Sequence, residues 1–365
     1  MFNISEIDRN FAVDDNVKRD DMGWFDPKQP PFLLHGLLYD EQGYKRMDSE
    51  VAKSVNEGVV TLHRHTSGGR ITFETDSPYI AIYVKCGIAQ SSTMPLTAYT
   101  GFDLFLERED GSLEFTNVFV PPVTINGSYQ GIFNFREPGM HKVLIHFPLY
   151  NKVEEISIGL SRNSTINTYS PYSPEEPVVY YGSSITQGGC VSRPGNSFPA
   201  IVSGLSKRDF WNFGFSGSAH GEEEMAKYIA AQPMSAFVLD YDHNDCDNRE
   251  RLAKQHNMFY QTVRAAHPDI PIIIMTAPYA ARTFYNDHPL QSKEILRETY
   301  EKAKAAGDWV YFIDCGSLFG DDKDVALVDR IHPGDVGHLY MAKAVMECLK
   351  DIANKENRSV VERNK

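Results

Sequence analysis

Near residue 170 the hydrophobic pattern of the chain changes its period, and that change limits the possible folds more than any other feature. Before it come short β-prone runs separated by turn residues: VVTLHRH, GRITFETDS, YIAIYVKCG, GFDLFLERED, LEFTNVFV, GIFNFRE, HKVLIHFPL and EEISIGL. In GRITFETDS, Ile71, Phe73 and Thr75 alternate with Thr72, Glu74 and Asp76, the period of two expected of a half-buried strand. Many such runs with almost no helical pattern between them predict a β-sandwich of the jelly-roll kind. Beyond the change, apolar runs alternate with helical stretches. PVVYYG precedes SFPAIVSGL, DFWNFGFSG precedes EEEMAKYIAAQ, SAFVLDYD precedes ERLAKQHNMFYQTVRAAH, and IPIIIMTAP precedes SKEILRETYEKAKAAG. A last strand, WVYFIDCG, leads to the helix GDVGHLYMAKAVMECLKDIANK. Continuous apolar strands spaced by helices indicate a parallel sheet covered on both faces. The expected organisation is an all-β jelly-roll domain over residues 1–165, a Ser/Thr/Asn/Pro-rich linker over 166–177, and a three-layer α/β/α domain over 178–365.

A length of 365 residues fits two domains. The formal charge of −13 argues against nucleic-acid and anionic-membrane partners, both of which need clustered Lys and Arg. No apolar run approaches the length of roughly 20 residues that crosses a bilayer. The start, MFNISEIDRNFAVDDNVKRDD, lacks a basic segment followed by an apolar one, so no secretory signal is expected there. Cys86, Cys190, Cys246, Cys315 and Cys348 are odd in number and contain no CxxC pair. Free thiols, no zinc site and a cytoplasmic location are the corresponding expectations.

In a parallel sheet the working groups gather at the carboxyl ends of the strands. The first strand ends in Gly182-Ser183-Ser184, two adjacent hydroxyls where a buried strand stops. A serine becomes a useful nucleophile only when a base takes its proton, and His332 is a candidate for that base. Asp329 lies three residues before it, close enough in chain to bend back and fix the imidazole tautomer. The competing view of DRIHP is a polar turn with Pro333 opening a helix. Acyl transfer also needs donors for a negative oxygen: Gly217 offers an unobstructed amide and Asn244 a side-chain amide. His220 and His338 lie at the same strand ends. The run Asp240, Asp242, Asp245 and Asp247 invites a metal, but it lacks the glycine and terminal glutamate of an EF-hand loop. His63 and His65 share a face if LHRHT is a strand, with no third ligand in view. Glu222, Glu223 and Glu224 suit a helix N-terminal turn.

Taken in order, GSSITQG, NFGFSG, DHND and DRIHP resemble the four blocks of the SGNH hydrolase (GDSL esterase/lipase) superfamily. The resemblance implies Ser184 as nucleophile, with Ser183 where the family usually has Asp. It further implies His332 as general base and Asp329 as its orienting acid. The Ser184 amide, Gly217 and Asn244 would form the oxyanion hole. TGFDLFLE, GRITFETDSPYIAI and HKVLIHFPLYN are similar to the N-terminal β-domain of a two-domain, carbohydrate-esterase-like subset. The implied activity is a serine esterase, with no cofactor and no metal, that removes a short acyl group, acetyl foremost, from an oligosaccharide or other small ester. The rings Tyr99, Phe102, Phe105, Tyr129 and Phe133 could build a sugar platform, although a core role suits most of them. The alternatives are an esterase for a lipid, thioester or natural product, an inactive carbohydrate-binding protein, and a metal-dependent deacetylase. A lipase needs an apolar rim at its site, for which the sequence offers no obvious loop. A homodimer is the expected assembly, twofold symmetry being the commonest.

Overall fold

The computed structural model describes residues 4–8, 13, 17–88, 91–278, 288–329 and 331–363, and Arg330 of the DRIHP block lies outside them. The chain forms two compact units. One holds Met1–Lys45, Arg64–Pro171 and Ser192–Gly195; the other holds Arg46–His63, Tyr172–Val191 and Asn196–Lys365. The division is therefore not one cut at 166–177, because each unit takes a short segment from the other's stretch of chain.

Eight strands form the two main sheets of the first unit: β1 (Met22–Phe25), β2 (Arg70–Thr75), β3 (Tyr79–Cys86), β4 (Phe102–Glu107), β5 (Leu113–Phe119), β6 (Ser128–Asn134), β7 (His141–His146) and β8 (Val153–Ser161). They pair antiparallel in the orders β1-β8-β3-β6 and β2-β7-β4-β5, the interleaving of a jelly roll. Leu33–His35 and Ile166–Asn167 pair along the remaining edge of β2. Ile71, Phe73, Val143 and Ile145 from one sheet and Ile80, Ile82, Ile156 and Ile158 from the other share a single core. Of the rings considered for a sugar platform, Tyr99, Phe102 and Tyr129 are buried and Phe105 and Phe133 half-buried, so most serve packing. Asp103 on β4 is fully buried and well supplied with donors. It takes His146 Nδ1 at 2.7 Å, the Gly195 amide at 2.7 Å and Arg193 at 3.2 Å. The Arg193 guanidinium also lies 3.9 Å from the centre of the Phe115 ring. These bonds explain why residues 192–195 fold with this unit.

The second unit is a five-stranded parallel sheet: β9 (Val178–Gly182), β10 (Phe210–Gly214), β11 (Ala236–Asp240), β12 (Ile272–Met275) and β13 (Val310–Ile313). The order is β10-β9-β11-β12-β13. Alternate side chains enter two separate cores. Val179, Tyr181, Phe213, Phe237 and Ile272 pack with helices α5 (Glu223–Ala230), α6 (Arg249–Ala266) and α7 (His288–Ala305). Val178, Tyr180, Phe210 and Val238 pack with α4 (Phe198–Ser206) and α8 (Asp335–Arg363).

The segment VVTLHRH was expected as a strand and is helical. Helices α1 (Ser49–Val55) and α2 (Glu57–Leu62) are capped by Asp48, which accepts from the Glu50 and Val51 amides, and by Asn56, which accepts from Val59. Val51, Val55, Val59 and Leu62 recur at helical spacing, and Ala52 and Val59 join the α5–α7 core. The β-branched pair Val59-Val60 favours a strand, but the two caps and the buried stripe outweigh that preference. Just before these helices Arg46 is wholly buried. Its guanidinium donates to the carbonyls of Asn212 at 3.1 Å, Gly214 at 2.5 Å and Leu62 at 2.6 Å, and lies 4.6 Å from the Phe215 ring centre. One cation thus satisfies the end of β10 and the last turn of α2.

Strand β11 ends in buried acid. Asp240 takes the Thr186 hydroxyl at 2.7 Å, and burial, with Asp242 nearby, raises its pKa well above the usual carboxyl range. Asp242 takes the Ala277 amide at 3.0 Å, and burial pushes it up to about 7.

Two outcomes test these contacts. Arg46→Met should cost about 3 kcal/mol of unfolding free energy in a urea titration, because three buried carbonyls lose their donor. A loss under about 1 kcal/mol would show that water takes its place. For Asp242 the folded pKa lies above the unfolded value of 3.8, so the folded chain holds the extra proton. The contribution of Asp242 to stability is then greatest below pH 4 and declines as pH rises towards 7. Asp242→Asn removes that part of the decline, and its stability should gain on wild type by about 4 kcal/mol between pH 4 and 8. A difference that stays constant with pH would contradict a buried, proton-holding Asp242.

Candidate active site

The first strand end explains the pair of serines. A Cβ on Gly182 would lie 2.1 Å from Thr186 Oγ1 and 2.4 Å from the Asp240 carbonyl, so only glycine lets the chain turn there. Ser183 donates its amide to the Asp240 carbonyl at 2.9 Å. Its hydroxyl accepts from Ile185 N at 3.2 Å, which makes it the N-cap of the short helix α3 (Ser184–Gln187). An Asp at that position, as the family commonly has, would cap equally well. Ser184, the next residue, is 5% exposed, and its Oγ lies 2.9 Å from His332 Nε2. One serine holds the turn and the other faces the base.

His332 comes from a turn that is itself fastened. Val328 N bonds the His332 carbonyl at 2.9 Å, and Leu327 bridges Pro333. Asp329 Oδ1 accepts from the Ile331 amide at 2.7 Å and the His332 amide at 2.6 Å. Its Oδ2 pairs with His332 Nδ1 at 2.8 Å. Partial burial works to raise the Asp329 pKa, but the His332 amide, the His332 ring and the Ile331 amide outweigh it and hold the carboxyl below its usual value. A charged Asp329 selects the tautomer with the proton on Nδ1, leaving Nε2 free to accept from Ser184.

Two of the expected oxyanion donors, Gly217 and Asn244, meet at one turn. Phe215 N bonds the Gly182 carbonyl, and Ser218 N bonds the Phe215 carbonyl. Gly217, at the tip, has φ +63°, and a Cβ there would meet nothing within 4 Å. Gln187 on α3 accepts from Ser216 N at 3.0 Å, and Gly214 lies so close to α3 that a Cβ would be 2.3 Å from Gln187 N. The turn is thereby pinned to the helix that carries Ser184. Asn244 Nδ2 donates to the carbonyls of Phe215 and Ala219, both at 3.1 Å. Its two hydrogens thus span the Gly217 turn, and one must leave its carbonyl before it can reach an oxyanion.

The other candidates have structural duties. Asp245 is a bridge between His220 Nδ1 at 2.7 Å and Arg251 Nε at 3.0 Å, and Asp240 and Asp242 hold the strand end, so the acidic run does not converge on one point. His338 is buried, accepts from Phe198 N at 3.1 Å and donates to the Gly189 carbonyl at 3.3 Å; burial lowers its pKa to about 4. His63 caps α2 and pairs with Ser49 Oγ at 3.1 Å. Glu222 is the N-cap residue of α5, with Glu223 and Glu224 in its first turn, as expected. Three residues at the site were not anticipated. Gln187 orders the Gly217 turn. His243 is kept neutral by burial and then by the charge of His332, at about 4. The third is Cys190, at φ +69° two residues past the end of the Ser184 turn. Its thiol, one imidazole nitrogen of His332 and a carboxylate oxygen of Asp329 all lie within 4.8 Å of one another. Among the described residues no cysteine forms a disulfide.

The arrangement can pass a proton from a serine hydroxyl to an imidazole held by a carboxylate, beside backbone amides on a glycine turn. Residues 175–350 match the GDSL-like lipase/acylhydrolase family, and residues 22–166 match the N-terminal domain of SGNH-hydrolase-type esterases. No curated protein matches the chain. Among solved structures, a protein described as a GDSL-like lipase from Bacteroides ovatus is 27% identical with TM-score 0.81, over 90% of this chain and 98% of that one. A salicylyl-acyltransferase from a tetracycline biosynthetic pathway is 19% identical with TM-score 0.75, over 92% and 99%. An acetyl xylan esterase from the rumen bacterium Butyrivibrio proteoclasticus is 12% identical with TM-score 0.55, over 93% and 98%. With residues 22–166 and 175–350 each matched by a model of this kind, the chain belongs to the SGNH hydrolase superfamily, as a two-domain esterase or acyl hydrolase.

Proposed function

We propose that the chain is a serine esterase that removes a short acyl group, acetyl foremost, from a carbohydrate hydroxyl. The observation that carries this reading is the relay from Ser184 Oγ to His332 Nε2 at 2.9 Å and from His332 Nδ1 to Asp329 at 2.8 Å. His332 takes the Ser184 proton as the oxygen attacks the ester carbonyl. The Ser184 and Gly217 amides, with Asn244 once a hydrogen leaves its carbonyl, meet the oxyanion. The alcohol departs with the proton from His332, and water then releases the acid by the same steps. A nucleophile only 5% exposed favours a small acyl group, and an acetyl xylan esterase is among the structural neighbours.

A second reading, an ester with a larger apolar or aromatic acyl group, draws on Val328 and Ile331. They flank the acid–base turn and are 52% and 39% exposed, which supplies apolar surface that the sequence had not suggested. The salicylyl-acyltransferase neighbour points the same way.

Acid release from acetylated xylo- and manno-oligosaccharides, alongside nitrophenyl acetate, butyrate and octanoate, separates the two readings. Acetyl esters should turn over fastest; preference for octanoate would favour the second. Ser184→Ala should lose about 10⁴-fold or more in kcat. Ser183→Ala should retain the chemistry and lose about 1 kcal/mol of stability with its cap. The reverse pattern would transfer the nucleophile to Ser183. Asn244→Ala should cost about 10²-fold in kcat with little change in KM, the mark of a donor used in the transition state. Because Asp329 is held below its usual pKa, it remains charged as pH falls, and kcat/KM should fall in acid with the slope of a single proton. A two-proton acid limb would show that Asp329 titrates as well.

A further inference from the structure

The geometry points to an inhibitory zinc site made of Cys190, His332 and Asp329. Among the described residues these are the only three such side chains whose donor atoms cluster this closely, all within 4.8 Å. A tetrahedral zinc holds sulfur at about 2.3 Å and nitrogen and oxygen at about 2.0–2.2 Å, which places its donors about 3.3–3.7 Å apart. The required contraction is therefore at most about 1.5 Å on any edge. The donor set is selective: a thiolate and an imidazole suit zinc, whereas magnesium and calcium take oxygen. Three protein ligands leave the fourth position to water or to the Ser184 hydroxyl.

The position of Cys190 follows from its turn. Gly188, at φ +100°, ends α3, Gly189 N bonds the Ser184 carbonyl at 2.8 Å, and Cys190 follows in the left-handed region, with its side chain 7% exposed. The turn that presents Ser184 to the base therefore presents a thiol to the same acid–base pair. Zinc binding releases the thiol proton, so affinity rises with pH, and at Nδ1 it shifts the imidazole proton to Nε2. Either nitrogen gives the same result. At Nε2 the metal takes the lone pair that accepts from Ser184, and at Nδ1 it replaces the hydrogen bond to Asp329. The relay is broken both ways, and zinc should inhibit. This is the opposite of a metal-dependent deacetylase, which chelators would silence.

The inhibition rests on the esterase reading; the metal binding does not. The test titrates reduced, metal-free protein with Zn²⁺ against a chromophoric chelator and with Co²⁺ by absorption, while ester hydrolysis is followed in parallel. One zinc per chain is expected, with a thiolate-to-cobalt charge-transfer band in the near ultraviolet and hydrolysis that falls in step and returns with excess chelator. Cys190→Ser should weaken zinc binding about 10-fold or more and abolish the cobalt band, with hydrolysis in chelator unchanged. Cys246→Ser, at a half-buried thiol elsewhere, should keep the band. A band that survives in Cys190→Ser, its absence from wild type, or stoichiometric zinc that leaves hydrolysis intact would overturn the proposal. The wild-type band is informative even if Cys190→Ser fails to fold. A bound zinc in a protein that hydrolyses no ester would leave the metal site standing and refute the esterase reading alone.

Discussion

The hydrogen bond between Ser184 and His332 joins two turns 148 residues apart, and the second unit is arranged so that it can form. A bond of this kind contributes about 1 kcal/mol net, too little to organise either partner. Each turn is therefore built independently of it. Ser184 is placed by Gly182, by the Ser183 cap and by a backbone bond from Ser183 to β11. His332 is placed by two amide bonds to Asp329 and by the bridge between Leu327 and Pro333. With both ends fixed in advance, little ordering entropy is left to lose when substrate arrives, which is how preorganised sites lower barriers.

Sheet order explains why the turns emerge where they do. In the order β10-β9-β11-β12-β13, the connections from β9 and β11 leave towards opposite sides, and the crevice at the carboxyl ends opens between these two strands. Ser184 follows β9, and Asn244 follows β11. The arrangement has a local cost. Asp240 and Asp242 are buried there with raised pKa values, one taking the Thr186 hydroxyl and the other the Ala277 amide. They tie the Ser184 helix and the end of β12 to β11, so the strand ends are rigid at the expense of charge that the interior disfavours. Arg46 does the same for β10 with the opposite sign, spreading one buried cation over three carbonyls.

Much of this could be read from the sequence because it depends on local signals. Period-two runs marked the sandwich strands, apolar runs marked the parallel sheet, and the spacing of Asp329 to His332 allowed the acid to bend back. Signals that depend on distant partners were silent. Val59-Val60 looked like a strand because the helix they form is decided by the Asn56 cap and by burial in the α5–α7 core. Arg46 looked like any surface cation, since its partners are backbone carbonyls more than 160 residues away in two cases out of three. Asn244 was readable as an amide at a strand end, but not as the brace across residues 215–219. Ser183 and Ser184 could be told apart only by resemblance, because the two have the same side chain and differ only in what faces them.

Cys190 shows what a preorganised acid–base pair brings with it. A base that must accept a proton from Ser184 has to keep its imidazole neutral with a lone pair exposed, and that is also the form that ligates metals. The neighbouring carboxylate, held ionised by three hydrogen bonds, is a second hard donor in place. Adding one thiol to such a pair completes a donor set that neither residue makes alone. The thiol sits on a non-glycine residue in the left-handed region, a conformation that costs about 1 kcal/mol or more and persists only where its surroundings over-determine it. Here the surroundings are the Gly188–Gly189 turn and the bond from Gly189 to Ser184, so the strain at Cys190 and the placement of the Ser184 hydroxyl have one cause.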